Sequence, residues 1–161
     1  MEAPQRPLPS PLTPEAKPYW EGARAGRLMI PKCRACGKPF MYPRVRCPFC
    51  ASADLEWIHA SGRGRLHSFE IAHQILNKAF RVKTPVVLAL VELEEGPRLL
   101  TNLINVDPDP AKIRCDMPVE VVFEKLTDEL TLPMFQPIGA GTHRGQPTHD
   151  SRRTDSGRYN R

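Results

Sequence analysis

The sequence has no apolar run approaching the roughly 18 residues that a helix needs to cross a bilayer, which excludes a membrane-spanning helix. Aromatic residues make up 7% and apolar residues 40% of the 161-residue chain, enough for one modest core. Residues 1–18 contain six prolines and lack the apolar stretch of a secretory signal. We therefore expect a cytoplasmic protein whose five cysteines are metal ligands or free thiols rather than disulfides.

Common catalytic and nucleotide-binding motifs are also absent: the sequence has no Gly-x-Ser-x-Gly elbow, phosphate-binding loop or dinucleotide fingerprint. Cys115 is a candidate nucleophile, but its surroundings are those of a turn thiol flanked by Arg114 and Asp116. His67 and His73 would share one face of a strand, either as an acid–base or metal-binding pair or as ordinary strand histidines. We therefore expect no catalytic residue, and no activity of the isolated chain.

Proline, in contrast, is abundant, with 18 residues, and this argues against a helical bundle because proline removes a backbone donor and clashes inside helices. The net charge is +6 over residues 1–50, −4 over residues 51–143 and +3 over residues 144–161. A nucleic-acid surface built on the middle segment would need positive charge there. The charge distribution therefore disfavours that function.

Composition divides the chain into five parts. Residues 1–17 are a proline-rich leader and residues 139–161 a basic tail, and both are expected to be disordered. Residues 18–32 are expected to be a helical segment, with the helix running from Pro14 or Pro18 to Ala25. Residues 33–60 hold four of the cysteines, and residues 61–138 have the pattern of strands.

Five strands are predicted in the last of these segments. They are Leu66–His73, Val86–Leu93, Arg98–Val106, Val119–Leu126 and Leu130–Phe135. Because Val86–Leu93 is apolar on both faces, we expect it to be central and covered on both sides. Five strands in so short a segment fit a small closed barrel better than a two-sheet sandwich.

The strongest motif is a pair of CxxC sequences, Cys33-x2-Cys36 and Cys47-x2-Cys50, separated by ten residues. Each CxxC turn directs two thiolates to one point, and two such turns complete a tetrahedron around a metal that prefers sulfur. Four cysteines leave no open position for water, so one structural zinc ion is expected. Rubredoxin-type iron has the same ligand set, and a redox dithiol is the third alternative.

Several motifs, in this order, resemble one known family. They are Pro18-Tyr19-Trp20-Glu21-Gly22, the four-cysteine ribbon, Ser61-Gly62-Arg63-Gly64, Pro85 to Leu93, Glu95-Gly96-Pro97-Arg98 and Met117 to Glu124. Over residues 14–138 the chain is similar to the acyl-CoA-associated zinc-ribbon/OB-fold proteins, long known only as a domain of unknown function. The leader, the basic tail and Cys115 depart from the shared pattern.

The resemblance implies a mainly β protein with a short N-terminal helix, a rubredoxin-like zinc ribbon and a five-stranded OB-fold barrel. It also implies a non-catalytic small subunit that binds a thiolase-like large subunit and helps form its acyl-CoA site. The carbon–carbon chemistry would be of the thiolase or retro-aldol type, for example on benzoylsuccinyl-CoA or a steroid side-chain acyl-CoA. The alternatives are a nucleic-acid-binding module and a free-standing metal-dependent enzyme or redox protein.

Two sets of residues are candidates for these contacts. The CoA thioester, shared with the partner, would meet a basic loop between the first two strands, formed by Lys78, Phe80, Arg81 and Lys83. Exposed lysines and arginines that only maintain solubility are the simpler interpretation of this loop. Tyr19 and Trp20 are large for so short a helix and must pack on the rest of the chain or on a partner.

Overall fold

The computed structural model describes residue 7 and residues 13–139. The prediction of disorder in most of the leader and in the tail beyond Gly139 concerns residues outside this range. A 3₁₀ turn over Pro14–Ala16 leads into helix α1, Lys17–Arg24. Seven strands follow: β1 Met29–Cys33, β2 Leu55–His59, β3 Arg63–Ala72, β4 Val86–Leu93, β5 Arg98–Leu103, β6 Pro118–Lys125 and β7 Thr131–Pro137. In the part of the chain described, no helix is long and apolar enough to span a membrane.

The helical segment expected over residues 18–32 is helical only as far as Arg24, whereas Met29–Cys33 is a strand. The helical region begins before residue 18, where the predicted leader ended. Pro14 and Pro18 do not prevent this, because each lies in a first turn, where proline is tolerated. It ends where Gly26 adopts a left-handed φ of 70°. The chain then turns back close to the helix, and a Cβ on Gly22 would lie 2.8 Å from the Arg27 carbonyl oxygen.

The strands form two separate sheets. β1 and β2 pair antiparallel, with Met29 opposite His59 and Cys33 opposite Leu55. The other five strands close into a barrel in the order β3-β4-β5-β7-β6, and β6 pairs back onto β3. The predicted mainly β fold with a five-stranded barrel is therefore confirmed.

The barrel interior is formed by one face of each strand. In β4 the inward residues Val87, Ala89, Val91 and Leu93 are buried. The expectation that this strand is covered on both sides is wrong, because Leu88 on the outer face is 38% exposed. A closed barrel buries its inner face, and in the described residues nothing packs fully over this outer surface.

The strand β3 contains a bulge between Leu66 and Ser68. The extra residue is His67, and it breaks the alternation of side chains along the strand. His73 lies beyond the end of β3 at Ala72. The expectation that these two histidines share one strand face is therefore not met.

Candidate functional site

The four ribbon cysteines lie on two similar turns. Cys33 ends β1, and the N–H of Gly37 donates to its carbonyl oxygen at 2.8 Å. The N–H of Ala51 donates to the Cys47 carbonyl oxygen at 3.0 Å in the same way. Gly37 and Ala51 both have a left-handed φ, 73° and 58°. Ala51 thus adopts the conformation that a glycine would be expected to supply.

The four sulfur atoms converge on one point. The Sγ atoms of Cys33 and Cys50 are 3.6 Å apart, as are those of Cys36 and Cys47, and all four lie within 4.8 Å of one another. A tetrahedral zinc ion with Zn–S bonds of about 2.3 Å requires sulfur separations of about 3.8 Å. The donor set and its spacing therefore fit a structural zinc ion with no position left for water.

Backbone amides prepare one of these sulfurs for metal binding. Burial opposes the charged form of Cys47, but the N–H groups of Phe49 and Cys50 donate to its sulfur. Together with the neighbouring thiols of Cys36 and Cys50, they lower the pKa of this thiol to about 7. The thiolate is the form that binds a metal ion. The second CxxC turn thus stabilises the thiolate of Cys47, one of the two cysteines that it carries.

Two of the basic residues around the cysteines, Lys32 and Arg34, have acidic partners on the ribbon. Arg34 Nε lies 3.2 Å from Glu56 Oε2, and its NH1 lies 3.6 Å from Asp54 Oδ1. The ammonium of Lys32 lies 4.0 Å from Glu56. These exposed pairs contribute little stability. They neutralise Lys32 and Arg34, whereas Lys38, Arg44 and Arg46 have no ion pair within residues 13–139.

The residues predicted to contact CoA lie together on the exposed loop between β3 and β4. Phe80 is 39% exposed, and a turn at Asn77, whose side chain accepts the N–H of Ala79 at 2.9 Å, precedes it. Lys78, Arg81 and Lys83 are exposed, and no ion pair within residues 13–139 uses any of them.

The two aromatic residues of α1 have different positions. Tyr19 is 9% exposed and belongs to the hydrophobic core, where burial raises the pKa of its hydroxyl. Trp20 contacts it edge to face, with ring centroids 5.0 Å apart, and is half-buried. Of the two, only Trp20 therefore offers surface to a partner.

An apolar outer face on the barrel was missed by the sequence interpretation. Leu90 lies opposite Leu100 across β4 and β5, and Leu88 is on the same outer face. Leu100 is 61% exposed, and Tyr42 beside it is 50% exposed. Tyr42, Leu100 and Trp20 also line a groove of about 250 Å³. The apolar residues on both faces of Val86–Leu93 were the available signal.

Other candidate residues form no site. Within residues 13–139, the four ribbon cysteines are the only group of three or more ligands close enough to hold a metal ion. Cys115 is exposed in the turn before β6, beside Asp116 with its left-handed φ of 63°. His67 and His73 are both exposed.

Comparisons with known proteins agree with this architecture. Residues 20–56 match a family model described as the rubredoxin-like zinc ribbon domain of ChsH2, and residues 57–124 match its C-terminal OB-fold domain. A solved structure titled Ltp2-ChsH2(DUF35) aldolase superposes with a TM-score of 0.71 at 38% identity, over 81% of this chain and 98% of that one.

Curated relatives include both short and long proteins. A DUF35 domain-containing scaffold protein of Methanothermobacter thermautotrophicus is 38% identical over 99 residues, 61% of this chain and 72% of that protein. Subunit BbsA of benzoylsuccinyl-CoA thiolase from Thauera aromatica is 30% identical, over 69% of this chain and 67% of that subunit. A probable enoyl-CoA hydratase alpha subunit of Thermomonospora curvata is 41% identical over 80% of this chain.

The chain spans only 40% of the length of this hydratase subunit. The ribbon and the barrel of the structure coincide with the zinc-ribbon and OB-fold domains that the family models match. The chain belongs to the ChsH2/DUF35 family of zinc-ribbon and OB-fold proteins, whose members include subunits of hydratases, aldolases and thiolases.

Proposed function

We propose that this chain is a non-catalytic subunit that binds a thiolase-like large subunit and helps form its acyl-CoA site. One observation carries the proposal: the chain aligns with 98% of a chain in the structure titled Ltp2-ChsH2(DUF35) aldolase, at 38% identity. The reaction would be carbon–carbon cleavage or formation of the thiolase or retro-aldol type. Its substrate would be an acyl-CoA, such as benzoylsuccinyl-CoA or a steroid side-chain thioester.

The partner would dock on the apolar outer face of β4 and β5. Leu88 and Leu100 are exposed there, and Trp20 borders the same region. At one end of the face, Glu92 and Arg98 neutralise each other at 2.7 Å. Such a surface gains from contact with another apolar protein surface and offers nothing specific to an anion.

The CoA moiety would contact the loop between β3 and β4. The phosphates of CoA are anionic, and Lys78, Arg81 and Lys83 are cations without ion-pair partners in the described chain. Phe80 is exposed beside them and offers a ring to the adenine or the acyl chain. The large subunit would supply the reacting groups.

The nucleic-acid alternative has less support. OB-fold barrels bind single strands through positive grooves and stacked aromatic side chains. Phe69 and Phe123 instead pack against the core of this barrel. The exposed outer positions of β4 and β5 include Leu88 and Leu100, and the cation Arg98 on this face is paired with Glu92.

A native affinity purification with metal analysis on the same sample tests the proposal. We expect a thiolase-like protein to co-purify, with one zinc ion per chain. Leu100→Glu should abolish co-purification, whereas Val45→Glu, an equivalent change at a side chain 69% exposed on the ribbon, should leave it intact. A lone chain carrying salt-sensitive nucleic acid would contradict the proposal.

A further inference from the structure

Two hydrogen bonds connect the ribbon side of the molecule to the β4–β5 hairpin. The N–H of Leu100 in β5 donates to the hydroxyl oxygen of Tyr42 at 3.1 Å. The N–H of Ser61, at the junction of ribbon and barrel, donates to Glu95 Oε1 at 2.6 Å. Tyr42 comes from the segment between the two cysteine pairs. The ribbon therefore places the side chain of Tyr42 in contact with strand β5 of the barrel.

The bond from Leu100 lies where the barrel wall is incomplete. β5 pairs with β7 only at Leu103 and Phe135, in parallel orientation. In the antiparallel pairing of β4 with β5, every second residue of β5 points its N–H group away from β4. Leu100 is one such residue, and Ile104, just past the end of β5, continues the pattern. The N–H of Ile104 donates to the Phe135 carbonyl oxygen at 2.8 Å. Continuing this register would place Leu100 opposite Leu132, but β5 and β7 form no backbone pair there. The Tyr42 hydroxyl accepts the N–H of Leu100 instead.

The position of the segment that carries Tyr42, residues 41–46, is set by the residues at its two ends. At its start, the N–H of Phe40 donates to the Pro31 carbonyl oxygen at 3.0 Å, and Phe40 is buried. Among the backbone hydrogen bonds of residues 13–139, none involves residues 41–46. The segment ends at Cys47, a predicted metal ligand. Cys47 is held within the second CxxC turn, where its N–H donates to the Ser52 carbonyl oxygen at 2.8 Å. Metal binding would therefore anchor this turn, and with it the end of the segment, to the first CxxC turn.

We infer that Tyr42 couples metal binding in the ribbon to the exposed edge of β5. With the metal bound, the segment holds the Tyr42 hydroxyl against the N–H of Leu100. Without it, the second CxxC turn is no longer tied to the first, the hydroxyl withdraws and the edge of β5 opens. Tyr42 is thus a positioning residue that protects a strand edge, and an unprotected edge is a template for pairing with another chain.

Hydrogen exchange of individual amides in the full zinc-loaded chain tests this inference. Tyr42→Phe keeps the ring and removes the acceptor. We expect exchange at Leu100 to accelerate about three- to tenfold, the effect of losing one neutral hydrogen bond. Ile104 should keep its rate because its bond to Phe135 lies within the barrel. Glu95→Gln, which alters the other contact and retains an acceptor oxygen, should leave Leu100 unchanged.

Zinc removal by a chelator completes the test. In the unmodified chain, zinc removal should accelerate exchange at Leu100 and leave Ile104 protected. In Tyr42→Phe, where exchange at Leu100 is already fast, zinc removal should accelerate it only slightly further. Equal acceleration of Leu100 in both proteins would show that the coupling does not pass through Tyr42. Unchanged exchange at Leu100 in Tyr42→Phe, or equal loss of protection at Leu100 and Ile104 on chelation, would also overturn the inference.

Discussion

The sulfur of Cys36 lies 3.6 Å from the sulfur of Cys47, although the two residues are 11 positions apart. This contact joins the first CxxC turn to the second, and the contact between Cys33 and Cys50 does the same at 3.6 Å. Each turn thus supplies ligands that meet those of the other. The ribbon has few buried side chains of its own, so its folding depends on the metal between the turns.

Cys36→Ser or Cys47→Ser should therefore abolish zinc binding and unfold the ribbon, with loss of any complex with the large subunit. The measurement is zinc content per chain, together with native mass spectrometry of the complex. Cys115→Ser is the matched control, since Cys115 is exposed and distant from the cluster, and it should retain one zinc ion. Retention of zinc and of the complex by Cys47→Ser would contradict the assignment.

Tyr19 and Trp20 should respond differently to replacement by alanine. Tyr19 is 9% exposed in the core, and its loss should lower the free energy of unfolding by about 3–5 kcal/mol. Trp20→Ala should cost less stability and weaken association with the partner, because part of its ring faces the groove beside Leu100. Urea unfolding and a binding titration measure the two effects. A Trp20→Ala protein that binds its partner normally would remove Trp20 from the interface.

Gly64→Ala should destabilise the barrel where β3 meets β4. A Cβ at Gly64 would lie 2.4 Å from the Glu92 carbonyl oxygen and 2.8 Å from a Val91 methyl group. Such crowding costs about 1–3 kcal/mol. Gly26→Ala is the control: an added Cβ meets no atom within 4 Å and introduces only backbone strain at a left-handed φ of 70°, about 1–2 kcal/mol. Thermal unfolding should show the larger loss for Gly64→Ala.

The pair formed by Glu92 and Arg98 should make stability depend on pH. The hydrogen bond and charge of Arg98 hold the pKa of the Glu92 carboxyl below its usual value. A lowered pKa in the folded state stabilises the protein above the ordinary carboxyl pKa, and the contribution disappears as pH falls through the lowered value. Arg98→Met should therefore be less stable than the unmodified chain at pH 7, with the difference vanishing in acid. A difference that stays constant down to pH 2 would contradict this.

Strand positions were largely predictable because they follow from side-chain alternation and turn residues. Val86–Leu93 was predicted with the bounds that the structure has. The cysteine cluster was also predictable, since CxxC spacing directly encodes a local turn. The helix was predicted to end at Ala25, one residue past its end at Arg24, because Gly26 is a stop signal. Strand β1, which begins at Met29, was not predicted, since the sequence pattern of residues 26–32 gave no strand signal.

The surface features were less predictable because they depend on tertiary contacts. The apolar pattern of β4 was compatible with either a covered or an uncovered outer face, and only barrel closure decides between them. The bulge at His67 shifts the strand alternation and has no clear sequence signal. The contact between Tyr42 and Leu100 joins residues 58 positions apart, beyond the reach of any local pattern.

Helix α1 packs against β7, the last strand of the barrel. Tyr19 and Trp20 share a groove with Leu132, Pro133 and Met134. During synthesis, the ribosome releases α1 long before the residues that cover it. A nascent chain therefore carries Tyr19 uncovered until β7 emerges, and chains truncated before Leu132 should be recognised by chaperones that bind exposed aromatic side chains.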